Sequence, residues 1–195
     1  MKISIVITLI LLALLSILSV SSCAGPTHSS YVNDYHNAKD KYAASASKFT
    51  ENGLDANQIK DRFTNVMDNL MAEDLEQRIK QVYASQLYFN DTLHTFSDNV
   101  LLTNYLQRTA KRLHDIDVVV EDVVLGDVNA YVRWTMRYKA DADSEEIESV
   151  GMTHLQFDAN GRIVLHQDYW DSYEGFYRTV PGVGFMINQV KKRLE

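Results

Sequence analysis

The chain has 195 residues, 46 % of them hydrophobic, and a formal net charge of −7. An acidic balance of this size argues against nucleic acid as a partner. A single cysteine, Cys23, excludes an intrachain disulfide and a cysteine-based metal site.

Lys2 precedes an almost unbroken apolar run from Ile3 to Val20, long enough to span a bilayer. The run ends in Val20-Ser21-Ser22-Cys23, which resembles the lipobox of bacterial lipoproteins, where small residues precede an invariant cysteine. The resemblance implies cleavage before Cys23, acylation of that cysteine and attachment to the lipid bilayer. Residues 1–22 then form a signal peptide and are set apart from the fold. An uncleaved anchor helix is the alternative. Ala24-Gly25 follows Cys23 and no Asp does, which by the sorting rule of enteric-type lipoproteins implies the outer membrane, facing the periplasm.

What remains is one domain's worth of chain. Residues 23–50 are rich in Ser, Asn, Ala and Tyr with weak periodicity and read as a tether, with a turn or two of helix around 37–46. Residues 51–172 carry the domain. Asp55-Ala56-Asn57-Gln58 has the capping-box pattern, and Ile59, Phe63, Val66, Met67 and Leu70 follow at helical spacing. A second helix from about Ala72 carries Leu75, Ile79, Val82 and Tyr83, and the aperiodic run Leu87 to Thr92 reads as a short strand. Asp98 is the predicted N-cap of a third helix over 99–113, with Leu102, Tyr105, Leu106 and Leu113 inward. The period then changes to two, giving strands over 116–125, 130–140, 147–157 and 162–171. In the second of these Trp134 shares a face with Val132, Met136 and Tyr138, while Arg133 and Arg137 lie opposite. Residues 141–146 form an acidic hairpin loop, and 173–195 a loop with a short helix from about Phe185 to Leu194. Helices first and an antiparallel meander afterwards define an α+β class, a curved sheet packed on about three N-terminal helices.

The last strand is the centre of the reading. Asn160-Gly161 marks the turn into it, and alternation puts Val164, His166, Asp168 and Trp170 on one face. Ile163, Leu165, Gln167 and Tyr169 share the other, mostly core, face. An imidazole and a carboxylate between an aliphatic residue and an indole suit the floor of a pocket. An ordinary solvated face is the plainer alternative.

The order helix, helix, the run Tyr83-Ala84-Ser85-Gln86-Leu87-Tyr88-Phe89-Asn90-Asp91, helix and four strands ending in Asp168-Tyr169-Trp170-Asp171 is similar to the nuclear transport factor 2-like superfamily, its SnoaL-like branch above all. That superfamily includes ketosteroid isomerase, limonene epoxide hydrolase and polyketide cyclases. The resemblance implies a cone made by sheet and helices, with a pocket at one end. It implies Asp91 at the position of ketosteroid isomerase's general base, and Asp168 near the acid/base Asp of the cyclases. Thr153 stands where the isomerase has a protonated Asp, and no Tyr lies near Val66 where its oxyanion Tyr would be, so steroid isomerisation of that kind is not expected.

Asp91, His166 and Asp168 are therefore the candidate catalytic residues, with Tyr88, Trp134, Thr153 and Trp170 lining the pocket. A desolvated carboxylate is a better base near neutral pH, and two carboxylates with separated pKa values supply an acid and a base. A structural polar cluster is the alternative for the same residues. No metal is expected, since a His-Asp pair lacks a third ligand at suitable spacing, and nothing calls for a cofactor. Three readings stay open: a binding protein for a small apolar molecule, an acid–base enzyme of isomerase, cyclase or hydrolase type, and an interaction module that dimerises through its outer sheet face.

Overall fold

The computed structural model describes residues 28–43 and 46–194; residues 1–22, expected to be a signal peptide, and Cys23 lie outside the described residues. Backbone contacts divide the chain into two units at His36/Asn37. Of the first unit the description covers only the opening turns of helix α1 (His28–Ala43), where the Tyr35 and His36 rings pack 5.4 Å apart. That helix runs for 16 residues where the sequence predicts a turn or two. Its last turns belong to the second unit, where Ala38 and Tyr42 are buried. The weak apolar period hid it, because small and aromatic residues carry the buried side. Among the described residues no helix is long and apolar enough to cross a membrane.

The second unit continues with α2 (Phe49–Asn52), α3 (Ala56–Met67) and α4 (Leu75–Val82). Asp55 caps α3 as its sequence predicts: its carboxylate accepts from the Gln58 backbone N–H at 2.8 Å, and the Gln58 side chain accepts from the Asp55 N–H at 2.9 Å. Ile59, Phe63 and Val66 fill one face of α3, and Leu75, Ile79 and Val82 one face of α4. Tyr83, expected on that helix, has left it. It adopts an extended backbone and begins β1 (Tyr83–Asn90), pairing with Ile163. The strand is thus longer than the run read from the sequence. It is followed by a strand that the sequence did not signal, β2 (Thr95–Asp98).

Asp98 caps α5 (Asn99–Ala110) by accepting from the N–H groups of Val100 and Leu101. Then come β3 (Asp115–Leu125), β4 (Ala130–Lys139), β5 (Ile147–Phe157) and β6 (Ile163–Trp170). One six-stranded sheet results, in the order β2-β1-β6-β5-β4-β3. All neighbours are antiparallel except β1 and β6, which run parallel. The α+β class holds, and the parallel pair is what the meander pattern could not convey.

Register shifts interrupt β1, β3 and the β5–β6 pair, and such irregularities bend strands and raise their twist. The sheet curves, and its concave face meets α3, α4 and α5. Ile59, Phe63, Leu102, Leu106, Val132 and Leu155 belong to the buried cluster between them. The irregularity between Gln156 and Phe157 also corrects the simple alternation of β6: Ile163 opposes Phe157 and joins this cluster, and Val164 does not. After β6 the chain forms α6 (Ser172–Gly175), a 3-10 turn (Tyr177–Thr179) and α7 (Val183–Lys191).

Candidate active or binding cavity

Between the concave sheet face and the helices lies a cavity of about 730 Å³, within the size range of small-molecule sites. Phe63 and Met67 of α3, Leu106 of α5, and Val118, Trp134 and Met136 of the sheet make most of its wall apolar. Trp134 can lie across the sheet because residue 151 is glycine: a Cβ there would fall 2.4 Å from the indole. Arg112, Glu145 and Arg178 also line it. Besides Glu145, the carboxylates of Asp91 and Asp168 line this space, and their hydrogen bonding differs.

Asp91 sits in the turn between β1 and β2. Its Oδ1 accepts from the backbone N–H groups of Leu93 at 2.9 Å and His94 at 2.7 Å. Its Oδ2 accepts from the Tyr105 hydroxyl of α5. Burial, reinforced by the Asp91 charge, holds the Tyr105 pKa far above that of an ordinary phenol, so the hydroxyl remains a donor. The Asp91 carbonyl oxygen accepts from Trp170 Nε1 at 2.8 Å. Every polar group of Asp91 described here is thus engaged in holding the turn against α5 and β6.

Asp168 is engaged on one oxygen only. Its Oδ1 accepts from the Thr153 hydroxyl at 2.5 Å and lies 2.9 Å from His166 Nε2. Thr153 accepts in turn from Trp134 Nε1 at 2.8 Å. His166 is fully buried, stacked between Phe63 and Phe89 with ring centroids 6.0 and 4.4 Å away, and its Nδ1 lies 3.0 Å from the Tyr83 hydroxyl. Burial and the nearby Asp168 charge hold the Tyr83 pKa well up. Tyr83 therefore donates to Nδ1, which assigns the proton of the imidazole to Nε2 and directs it at Asp168. Asp168 Oδ2 accepts no hydrogen bond among the described residues, and Asp168 lines the cavity with its side chain 13 % exposed. One carboxylate oxygen is left for whatever enters.

The structure thus brings Asp168, His166, Thr153 and Trp134 into one hydrogen-bonded row, and Asp91 and Trp170 into another. Tyr88 belongs to neither row and does not line the cavity. Leu87 and Phe89 take the inner positions of β1, and Tyr88 turns to the outer side, where its hydroxyl donates to Gln167 Oε1 at 3.1 Å. Thr153 lies beneath the wall as the link between Trp134 and Asp168 rather than on the surface of the cavity. Sequence reasoning missed Tyr83 and Tyr105 as site residues. Tyr105 had a helical-spacing signal for facing inward, but nothing in the chain announces its bond to Asp91 14 residues away. Among the described residues no group of three His, Cys, Asp or Glu could hold a metal ion.

The SnoaL-like domain family matches residues 63–166, over half of the chain, which therefore belongs to that family. Solved structures share the fold at low identity. An LEH-like epoxide hydrolase from M. tuberculosis superposes with a TM-score of 0.50 at 18 % identity, covering 67 % of this chain and 92 % of that one. TsrD from Streptomyces laurentii gives 0.54 at 13 % identity, with 66 % and 98 % covered. A ketosteroid isomerase-like protein from Catenulispora acidiphila, solved in complex with trimethylamine, gives 0.54 at 10 % identity, with 63 % and 95 % covered. No curated protein matches the chain.

Proposed function

We propose that this protein is a binding protein of the cell envelope, whose SnoaL-like domain holds a small apolar molecule with its hydrogen-bond-donating end at Asp168. The observation that carries the reading is the hydrogen-bond state of the cavity: an apolar wall, Asp91 saturated, and Asp168 Oδ2 left without a donor. A ligand that supplies an N–H or O–H there completes the carboxylate's shell, and one that does not buries a charge unpaired. Trp134 and Trp170 both line the cavity, so their emission reports occupancy. Titration with decylammonium should quench it. Asp168→Asn should weaken that binding about tenfold or more, the value of a hydrogen bond to a charged group. Unchanged affinity in the variant would sink the reading.

The row Tyr83–His166–Asp168 favours a second reading, an acid–base enzyme. In it Asp168 takes a proton from a carbon next to a carbonyl, or from a water attacking an epoxide, and returns it to the enolate or to the opened alkoxide, while His166 holds the carboxylate in place through its Nε2–H. Turnover of a carbonyl or epoxide substrate, lost in Asp168→Asn and in His166→Gln, would favour the enzyme. The saturated state of Asp91 argues against that residue as the base.

The N-terminal pattern supports a lipoprotein: residues 1–22 as signal peptide, Cys23 acylated, 23–50 as tether, 51–172 as the domain, and the outer membrane as the location. Cells given an alkyne-tagged fatty acid should incorporate it into the chain. A Cys23→Ser variant that keeps the tag would overturn this part.

A further inference from the structure

The C-terminal helix departs in composition and exposure from the rest of the chain. On α7 and the turn that follows it, Phe185, Met186, Val190 and Leu194 are 67 %, 69 %, 57 % and 83 % exposed. Met186, Val190 and Leu194 stand four residues apart and form one stripe along the helix and the turn after it, and Phe185 projects roughly 100° round the helix from Met186. The opposite side is held to the segment 173–178 that precedes it. Asn188 accepts from the Tyr173 hydroxyl at 2.6 Å, and the Lys191 ammonium lies 3.8 Å above the Tyr173 ring and 3.3 Å from Glu174. Gly184 is buried so close to the preceding segment that a Cβ would fall 2.5 Å from the Arg178 carbonyl oxygen. The apolar stripe is therefore held outward by contacts on the inner face.

Charge says what the stripe is for. The chain carries a net −7, yet residues 178–195 contain Arg178, Lys191, Lys192 and Arg193 against a single acid, Glu195. Arg178 and Lys191 are paired with Glu174, and among the described residues Lys192 and Arg193 have no ion-pair partner. A short helix with large apolar side chains on one side and basic residues at their border lies in the interface of an anionic bilayer, its cations at the phosphates and its apolar side chains at the acyl boundary. Nine residues are far too few to span. The position of the helix adds a consequence, because Phe176, Arg178 and Thr179, immediately before α7, line the cavity.

We infer that α7 is an interfacial membrane foot, which sets the cavity rim against an anionic bilayer and lets apolar molecules enter the cavity from the lipid. The docking stands on α7 alone; the loading rests on the binding reading above.

The test uses the full chain reconstituted in vesicles, with an environment-sensitive fluorophore at Met186→Cys or, for comparison, at Asn160→Cys in the β5–β6 turn. Both variants carry Cys23→Ser, so that each holds one label at one position. In vesicles containing phosphatidylglycerol the label at 186 should shift to the blue and be quenched by lipids brominated near the glycerol end of the acyl chain, and the label at 160 should not. Lys192→Gln with Arg193→Gln should lower the ratio of docked to undocked helix about thirty-fold at low salt, the factor for two surface charges. Equal spectra in buffer and vesicles would overturn the inference. So would a blue shift that grows with protein concentration without lipid, since a second copy would then be the occupant. Decylammonium quenching of the tryptophans in solution tells the two readings apart. If it survives in the double variant while docking is lost, binding and docking are separate properties. If it is absent in every form while docking persists, only the loading fails.

Discussion

Asp91 and Asp168 enter the same cavity in opposite states; strand alternation pointed only to Asp168, and the family resemblance to Asp91. The face of β6 that carries His166, Asp168 and Trp170 was legible, because every second residue of a strand shares a side. Saturation was not, since it depends on Tyr105 and on backbone N–H groups whose direction is set by the turn at 91–94. A third buried polar residue lies on the outer face of the sheet and was not singled out at all. His154 is buried on β5, with Nε2 2.8 Å from Asn129 Oδ1 and its ring stacked on Tyr131. Burial, and to a lesser degree the Lys39 charge, lower its pKa to about 4. The unfolded chain, with an ordinary histidine near 6.5, binds the proton more readily. Its contribution is thus fully present above pH 6.5 and is lost as pH falls towards 4, by at most about 3 kcal/mol. Urea denaturation between pH 7 and 4 should show this slope, and His154→Gln, which keeps a donor for Asn129 and cannot titrate, should flatten it.

At the scale of elements, what the sequence conveys is whatever its local chemistry settles. The capping box at Asp55, the cap at Asp98, the turn at Asn160-Gly161 and the period-two runs of β3 to β6 all sit where their own residues put them. Three features escape because they are settled by distant neighbours. Tyr83 has a helical neighbour on one side, yet its ring is claimed by His166, which draws it into β1. The second feature, β2, is four residues long, too short for a period, and exists through its pairing with β1. The third is the register shift where β6 meets β5, which is defined only by the pairing of the two strands and exchanges Ile163 for Val164 in the core. The two indoles of the cavity show the same dependence. Trp134 needs Gly151 on the next strand, and Trp170 lies over Gly175, where a Cβ would come within 2.4 Å of its ring.

At the scale of the domain, the pairing of β1 with β6 decides more than the shape of the cavity. The two strands lie side by side although Asp91 and Trp170, whose bond closes their junction, are 79 residues apart in the chain. Contacts of such separation cost loop-closure entropy before they return any stabilisation, and they form late in folding. Asp168 and Trp170 reach this junction on β6, so the floor of the cavity waits on the β1–β6 pairing, whereas β3 and β4 meet across a short turn. A ligand bound to the finished cavity should then slow unfolding and leave the refolding rate nearly unchanged, because the transition state does not yet contain its site. Stopped-flow kinetics with and without decylammonium would read the two limbs separately, and an accelerated refolding limb would mean that β6 docks early. In a cell the same order has a practical meaning. While the chain is being made or threaded across a membrane, the floor of the cavity is incomplete until residues 163–170 have emerged, so the binding proposed above can begin only then.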